Sequence, residues 1–163
     1  MTDLRKHQEQ FERMKRWYER IKKIDQGESH NLSFVNLSPS YFYDEVYAFF
    51  MNCYHLKDWI ENDDTVKQED KGKVENFMRK DDSMSLCRDI CIKIKHLEQK
   101  SVSWSGRVPE FKGREFPVSL GGGDEPIIGV KFSIETETGP KDAFELASEC
   151  VRKWEEFIKD NIK

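Results

Sequence analysis

With 163 residues, the chain is long enough to bury roughly two-thirds of its unfolded surface around one core, and its eleven Phe, five Tyr and four Trp favour folding over disorder despite 36% charged residues. The net charge of −4 lacks the whole-chain basic footprint of a duplex-binding module. No stretch approaches the run of about 20 apolar residues that spans a bilayer, and no apolar signal core follows the N-terminus, so one cytoplasmic domain over 1–163 without membrane contact is expected.

The first helix is expected from about Asp3 to Ile24, with Leu4, Phe11, Met14, Tyr18 and Ile21 on one face and Trp17 and Ile24 beside it. Its alternating Lys, Arg and Glu read as a solvated outer face. Gly27, Ser29 and Asn31 break the period, and 32–37 reads as an apolar loop folded back onto the bundle. Ser38-Pro39 is a helix start, because the Ser oxygen can accept an orphan amide and Pro needs no donor in the first turn. The stripe that follows is Phe42, Val46, Phe49, Cys53, Leu56 and Ile60, in steps of four and three, which is the spacing of a bundle seam.

Asn62, Asp63 and Asp64 end this helix, and a short third helix is expected around Val74, Phe77 and Met78. Asp81-Asp82-Ser83 caps a fourth, whose stripe is Met84, Cys87, Ile90, Cys91, Ile94 and Leu97. From Ser101 to Gly139 the helical period disappears. Phe116, Val118 and Leu120 alternate with polar residues, Gly121-Gly122-Gly123-Asp124 turns the chain, and Ile128, Val130, Phe132 and Ile134 alternate on the return. Gly139-Pro140 is read as opening the last helix, with Asp142 in its first turn and Ala143, Ala147, Cys150, Trp154 and Phe157 as its core stripe. The fold class is mainly α: a four-helix bundle with a short extra helix and a β-hairpin, at about 102–137, inserted before the C-terminal helix.

All four cysteines, Cys53, Cys87, Cys91 and Cys150, fall on apolar helical stripes, and none forms a C-x-x-C pair. Reduced, buried thiols are expected. Structural zinc draws on short knuckle spacings that this chain lacks, so no metal is expected. Gly121-Gly122-Gly123 has no following Lys-Ser/Thr, and G-x-S-x-G and H-E-x-x-H are absent, which leaves no cofactor or standard hydrolase signature.

Residues able to do chemistry cluster in Cys53-Tyr54-His55-Leu56-Lys57-Asp58-Trp59, where His55 and Asp58 stand three apart on one side of a helix. The fourth helix adds Arg88-Asp89 and Lys95-His96. If the third helix is a mere loop, the second and fourth run antiparallel and the histidines separate by up to about 20 Å; if it is a short reversal, the expected arrangement, they run parallel, which sets His55 and His96 at one level. His55, Asp58, Arg88, Asp89 and His96 would then share a cleft suited to acid–base work on a phosphodiester. The plainer alternative is a set of ordinary exposed helix charges.

The pattern C-x-H-L-x-D-W with R-D-(x)6-H resembles a group of small helical bacterial and phage-associated proteins. More distantly, it resembles the HEPN superfamily of helical-bundle toxin and defence ribonucleases. That family's motif is Arg, a polar residue, then His after four to six residues; here seven residues separate Arg88 from His96. Eight positions on a regular helix rotate the side chains by roughly 80°, so a kink or helix end would be needed for both to face one phosphate. The resemblance implies RNA as substrate, with His96 acting on the 2′-hydroxyl and Arg88 on the phosphate charge, or else an inactive relative. The residues themselves favour an interaction or scaffold protein that holds a protein partner, or a second copy of itself, through the hairpin edge or the loop near Phe34 and Tyr41.

Overall fold

The computed structural model describes residues 5–26, 39–96, 102–115, 118–119, 127–128 and 131–162. The expectations for Leu4, for 27–38 including Phe34, for Leu97, and for Phe116, Leu120, the 121–124 turn and Val130 lie outside them. So do those for the side chains of Tyr41 and Phe42.

Helix α1 (Lys6–Asp25) buries His7, Gln10, Met14, Ile21 and Ile24, while Phe11, Trp17 and Tyr18 are only partly covered. The heptad His7, Met14, Ile21 thus sets its inner face, and two polar residues occupy positions that the aromatic residues were expected to fill. Helix α2 (Pro39–Glu61) is the central element. Its 3–4 stripe Val46, Phe49, Cys53, Leu56 and Ile60 is buried as the spacing dictates, and Phe50 joins it. At roughly 25 cal/mol per Å² of apolar surface, each such side chain contributes about 1.5–3 kcal/mol.

Helix α3 (Gln68–Lys80) is the short reversal, and it turns directly into α4 (Asp82–Lys95). Asp81 makes that turn by accepting from the amides of Ser83 (3.0 Å) and Met84 (3.1 Å), which satisfies two donors that α4 cannot pair internally. The Phe50 carbonyl meets Cys87 Sγ at 3.8 Å, and farther along α2 the charge of Asp58 bears on Cys91. Contacts therefore climb α2 and α4 in one direction, so the two helices run parallel as expected.

Strand β1 (Glu110–Glu115) pairs antiparallel with β4 (Lys131–Thr136), and β2 (Val118–Ser119) with β3 (Ile127–Ile128). The pairings 115 with 131 and 118 with 128 share one register, and the register shifts between Lys112 and Arg114. Phe132 and Ile134 are buried as the alternation predicted.

Two expectations require correction. Gly139-Pro140 does not open the last helix, and the insert is not two-stranded. Gly139–Asp142 forms β5, which pairs with β4 across a two-residue turn, Glu137-Thr138, and gives a sheet of order β1-β4-β5. Gly139 sits at φ +111°, where an L side chain would be strained, and Pro140 is tolerated because β5 is an edge strand. Helix α5 (Ala143–Asn161) starts one residue after Asp142, whose side chain accepts from the Glu145 amide at 2.8 Å as its N-cap.

The sheet packs on the bundle through rings. Phe111 meets Tyr47 edge-on at 5.0 Å, and Tyr43 meets Phe132 at 5.2 Å. On the other flank, Trp154 of α5 inserts between α2 and α3, donating from its ring nitrogen to the Cys53 carbonyl (3.1 Å) and touching Phe77 edge-on (5.2 Å).

Candidate functional site: a pinned loop on helix α4

The five residues singled out in the sequence separate into two environments. His55 and Asp58 are exposed on α2, with Asp58 3.8 Å from the Lys57 ammonium. His96 is exposed at the C-cap of α4, where its backbone amide donates to the Ile92 carbonyl (3.0 Å). It lies five residues beyond Cys91, about 7.5 Å farther along the axis of α4. Arg88 and Asp89 are buried, and these two are brought together: Arg88 Nη1 donates to Asp89 Oδ1 at 2.9 Å.

What occupies this pair is the segment that follows α4. Asp89, with no exposure at all, also accepts from Ser103 Oγ (2.7 Å), Ser105 Oγ (2.6 Å) and the amides of Trp104 (3.1 Å) and Ser105 (2.8 Å). A carboxylate offers about four lone-pair sites. With these donors and Arg88 in place, Asp89 has no lone pair left for a substrate proton. Burial works against its ionised form, but the Ser103 and Ser105 donors and Arg88 outweigh that and hold its pKa below the ordinary carboxylate value. Arg88 Nη1 donates as well to the Val102 carbonyl (3.1 Å), and its guanidinium lies 4.9 Å from the Trp104 ring centroid. Arg79 of α3 lies over the same ring at 4.2 Å, so two cations pack on Trp104.

The loop is also closed upon itself. Arg107 donates its amide to Ser103 Oγ (3.0 Å), and its guanidinium pairs with Asp82 of α4 (2.8 Å), which Lys141 of β5 also reaches (2.9 Å). Between these anchors the chain turns at Gly106, φ +70°. Val102 is 86% exposed and Val108 48%, and they are the large hydrophobic side chains left exposed among the described residues.

Two further buried polar clusters were not anticipated. His7 Nδ1 lies 2.7 Å from Asp63 Oδ2, both 1% exposed, and Asp63 also accepts from the His7 amide (3.0 Å) and from the amide and hydroxyl of Thr65 (2.9 and 2.7 Å). Burial opposes the Asp63 carboxylate, but these donors outweigh it and hold its pKa far below the usual range. The pair fastens the start of α1 to the α2–α3 turn. The other cluster is Cys53, Cys87 and Cys150, from α2, α4 and α5, whose Sγ atoms lie within 4.8 Å of one another. All four cysteines are free and buried, as their stripe positions predicted. Hydrogen bonding among the three clustered thiols, together with burial, pushes Cys87 and Cys150 well above the ordinary thiol value, and burial pushes Cys91 up to about 11.

No protein-family model matches this chain, and no curated protein or solved structure does either. Among the described residues, no helix is long and apolar enough to cross a membrane. The functional reading therefore rests on geometry.

Proposed function

We propose that the chain is an interaction protein whose recognition surface is the 102–108 loop. One observation carries this reading: a wholly buried carboxylate pins the loop through side-chain and backbone donors, yet the loop displays Val102 and Val108 to solvent. Scattered exposed Val residues are ordinary on a monomer. Here the two share a loop with a Trp on which Arg79 and Arg88 pack, and that loop's backbone is held by hydrogen bonds from within the chain. Such pre-organisation removes part of the entropy that binding otherwise loses, and apolar side chains beside Trp and Arg are the composition of interface hot spots. The partner implied is a protein segment with an apolar side chain to cover the two valines, supplied by another protein or by a second copy of this chain.

The ribonuclease reading receives less support. Arg88 and Asp89 are buried and engaged in holding the loop, whereas His55 and His96 are exposed. The test is a Val102→Asp/Val108→Asp double variant. Its stability should stay within about 0.5 kcal/mol of wild type, as for other surface changes. A partner recovered with the wild-type chain and rebuilt as a binary complex from purified components should lose at least tenfold in affinity. An unchanged affinity would move the recognition surface elsewhere.

A further inference from the structure

Helices α2, α4 and α5 each contribute one cysteine to a single point in the core. Cys53, Cys87 and Cys150 have no solvent exposure, and their sulfurs lie within 4.8 Å of one another. Besides one another, Cys87 Sγ faces the Phe50 carbonyl (3.8 Å) and Cys150 Sγ the Ser83 carbonyl (3.6 Å). A single buried thiol packs as a small hydrophobe. Three thiols converging from three helices also form a triangle of soft ligands, and its dimensions can be compared with those of a bound ion. With bonds to sulfur of about 2.3 Å and the angles near 100° of a pyramidal three-coordinate centre with a lone pair, the sulfurs stand about 3.5 Å apart. The three sulfurs, at most 4.8 Å apart, are thus within about 1.3 Å of that spacing.

Charge selects the ion. Three thiolates bring three negative charges to a point that faces the Phe50 and Ser83 carbonyls, while the Asp81 carboxylate that acts on Cys150 is itself paired with Lys153 at 2.9 Å. A monovalent ion would leave two charges uncompensated and a divalent ion one, and each uncompensated buried charge costs several kcal/mol. A trivalent ion leaves none. We propose that Cys53, Cys87 and Cys150 form a three-coordinate site for a trivalent thiophilic ion of the arsenite type. Loading is a ligand exchange without redox change: for each cysteine an As–S bond forms and an As–OH bond breaks. The thiol proton leaves with the hydroxide as water, so the arsenic stays trivalent and the core stays neutral. Because the sulfurs are closed to solvent, entry requires transient opening of the bundle and should be slow.

The test uses the full chain, kept reduced with a phosphine and incubated with arsenite, both native and during refolding. After gel filtration, arsenic per chain is measured, and X-ray absorption at the arsenic edge identifies its neighbours. The expected result is one arsenic per chain with three sulfur neighbours and no oxygen. Cys53→Ala, Cys87→Ala and Cys150→Ala should each reduce retention at least tenfold, whereas Cys91→Ala, outside the triangle, should retain it fully. Circular dichroism confirms that the variants are folded; should one not fold, the absorption spectrum of the wild type decides alone. The assignment is overturned by no retained arsenic under either condition, by equal retention in the cluster variants and wild type, by fewer than three sulfur neighbours, or by zinc that arsenite fails to displace.

Discussion

Replacing Asp89 by Ala removes the acceptor that the 102–107 loop is built around. The amides of Trp104 and Ser105 lose their partner, and the Arg88 guanidinium loses the carboxylate 2.9 Å away. Breaking a buried ion pair by deleting one member costs about 3–5 kcal/mol. Water can reach part of the freed loop, which puts the expected loss near the lower end, about 3 kcal/mol. With a urea slope of about 2 kcal/mol per M, the unfolding midpoint should fall by about 1.5 M. In native conditions the loop should become the first site of protease cleavage, while the far-ultraviolet helical signal remains. A midpoint shift below about 0.3 M, or unchanged protection of 102–107, would refute the role assigned to Asp89.

Acid should destabilise the protein through Asp63 and Asp89. Both pKa values are lowered in the folded state, so their stabilisation is present above the unfolded value near 3.9 and disappears as pH falls through the lower folded values. Urea midpoints should accordingly decline below about pH 4, and Asp63→Asn should flatten that decline; a profile unchanged by the substitution would contradict the His7–Asp63 account. Leu56→Ala, at a fully buried seam position, should cost about 2–5 kcal/mol in the same assay, and a cost under about 1 would show that α2 is not the central helix. Native protein should present no rapidly reacting thiol to an aromatic disulfide reagent, with all four released on denaturation; prompt modification of even one would contradict the burial of the cysteines.

The parts of the fold legible in the sequence are those encoded locally. The α2 seam could be read because Val46, Phe49, Cys53, Leu56 and Ile60 repeat at helical spacing, and the start of α4 because Asp81 precedes two amides it can cap. Strand β5 was hidden because Gly-Pro is also how a helix begins; the pairing with β4 that decides the matter is a tertiary fact. His7 occupies a heptad with Met14 and Ile21, and Asp63 precedes Thr65 at Asx-turn spacing, so each carried a signal alone. Their union across 56 residues did not. The candidate site shows the same division. Arg88 and Asp89 are neighbours in the chain, but what covers them comes from Ser103, Trp104 and Ser105, beyond the reach of any helical period. The thiol triangle escaped a reading based on knuckle spacing because its members come from three separate helices.

The most direct test of the recognition surface is site-specific photo-cross-linking in the cells that make the protein. A photoreactive residue is placed at Val102, and separately at Glu155, an exposed position on α5. Position 102 should yield one discrete adduct, either with another protein or at twice the chain mass if the partner is a second copy. Position 155 should not yield it, and Asp89→Ala should abolish it. No adduct from position 102, or the same adducts from both positions, would contradict the proposal that the pinned loop is where this protein meets its partner.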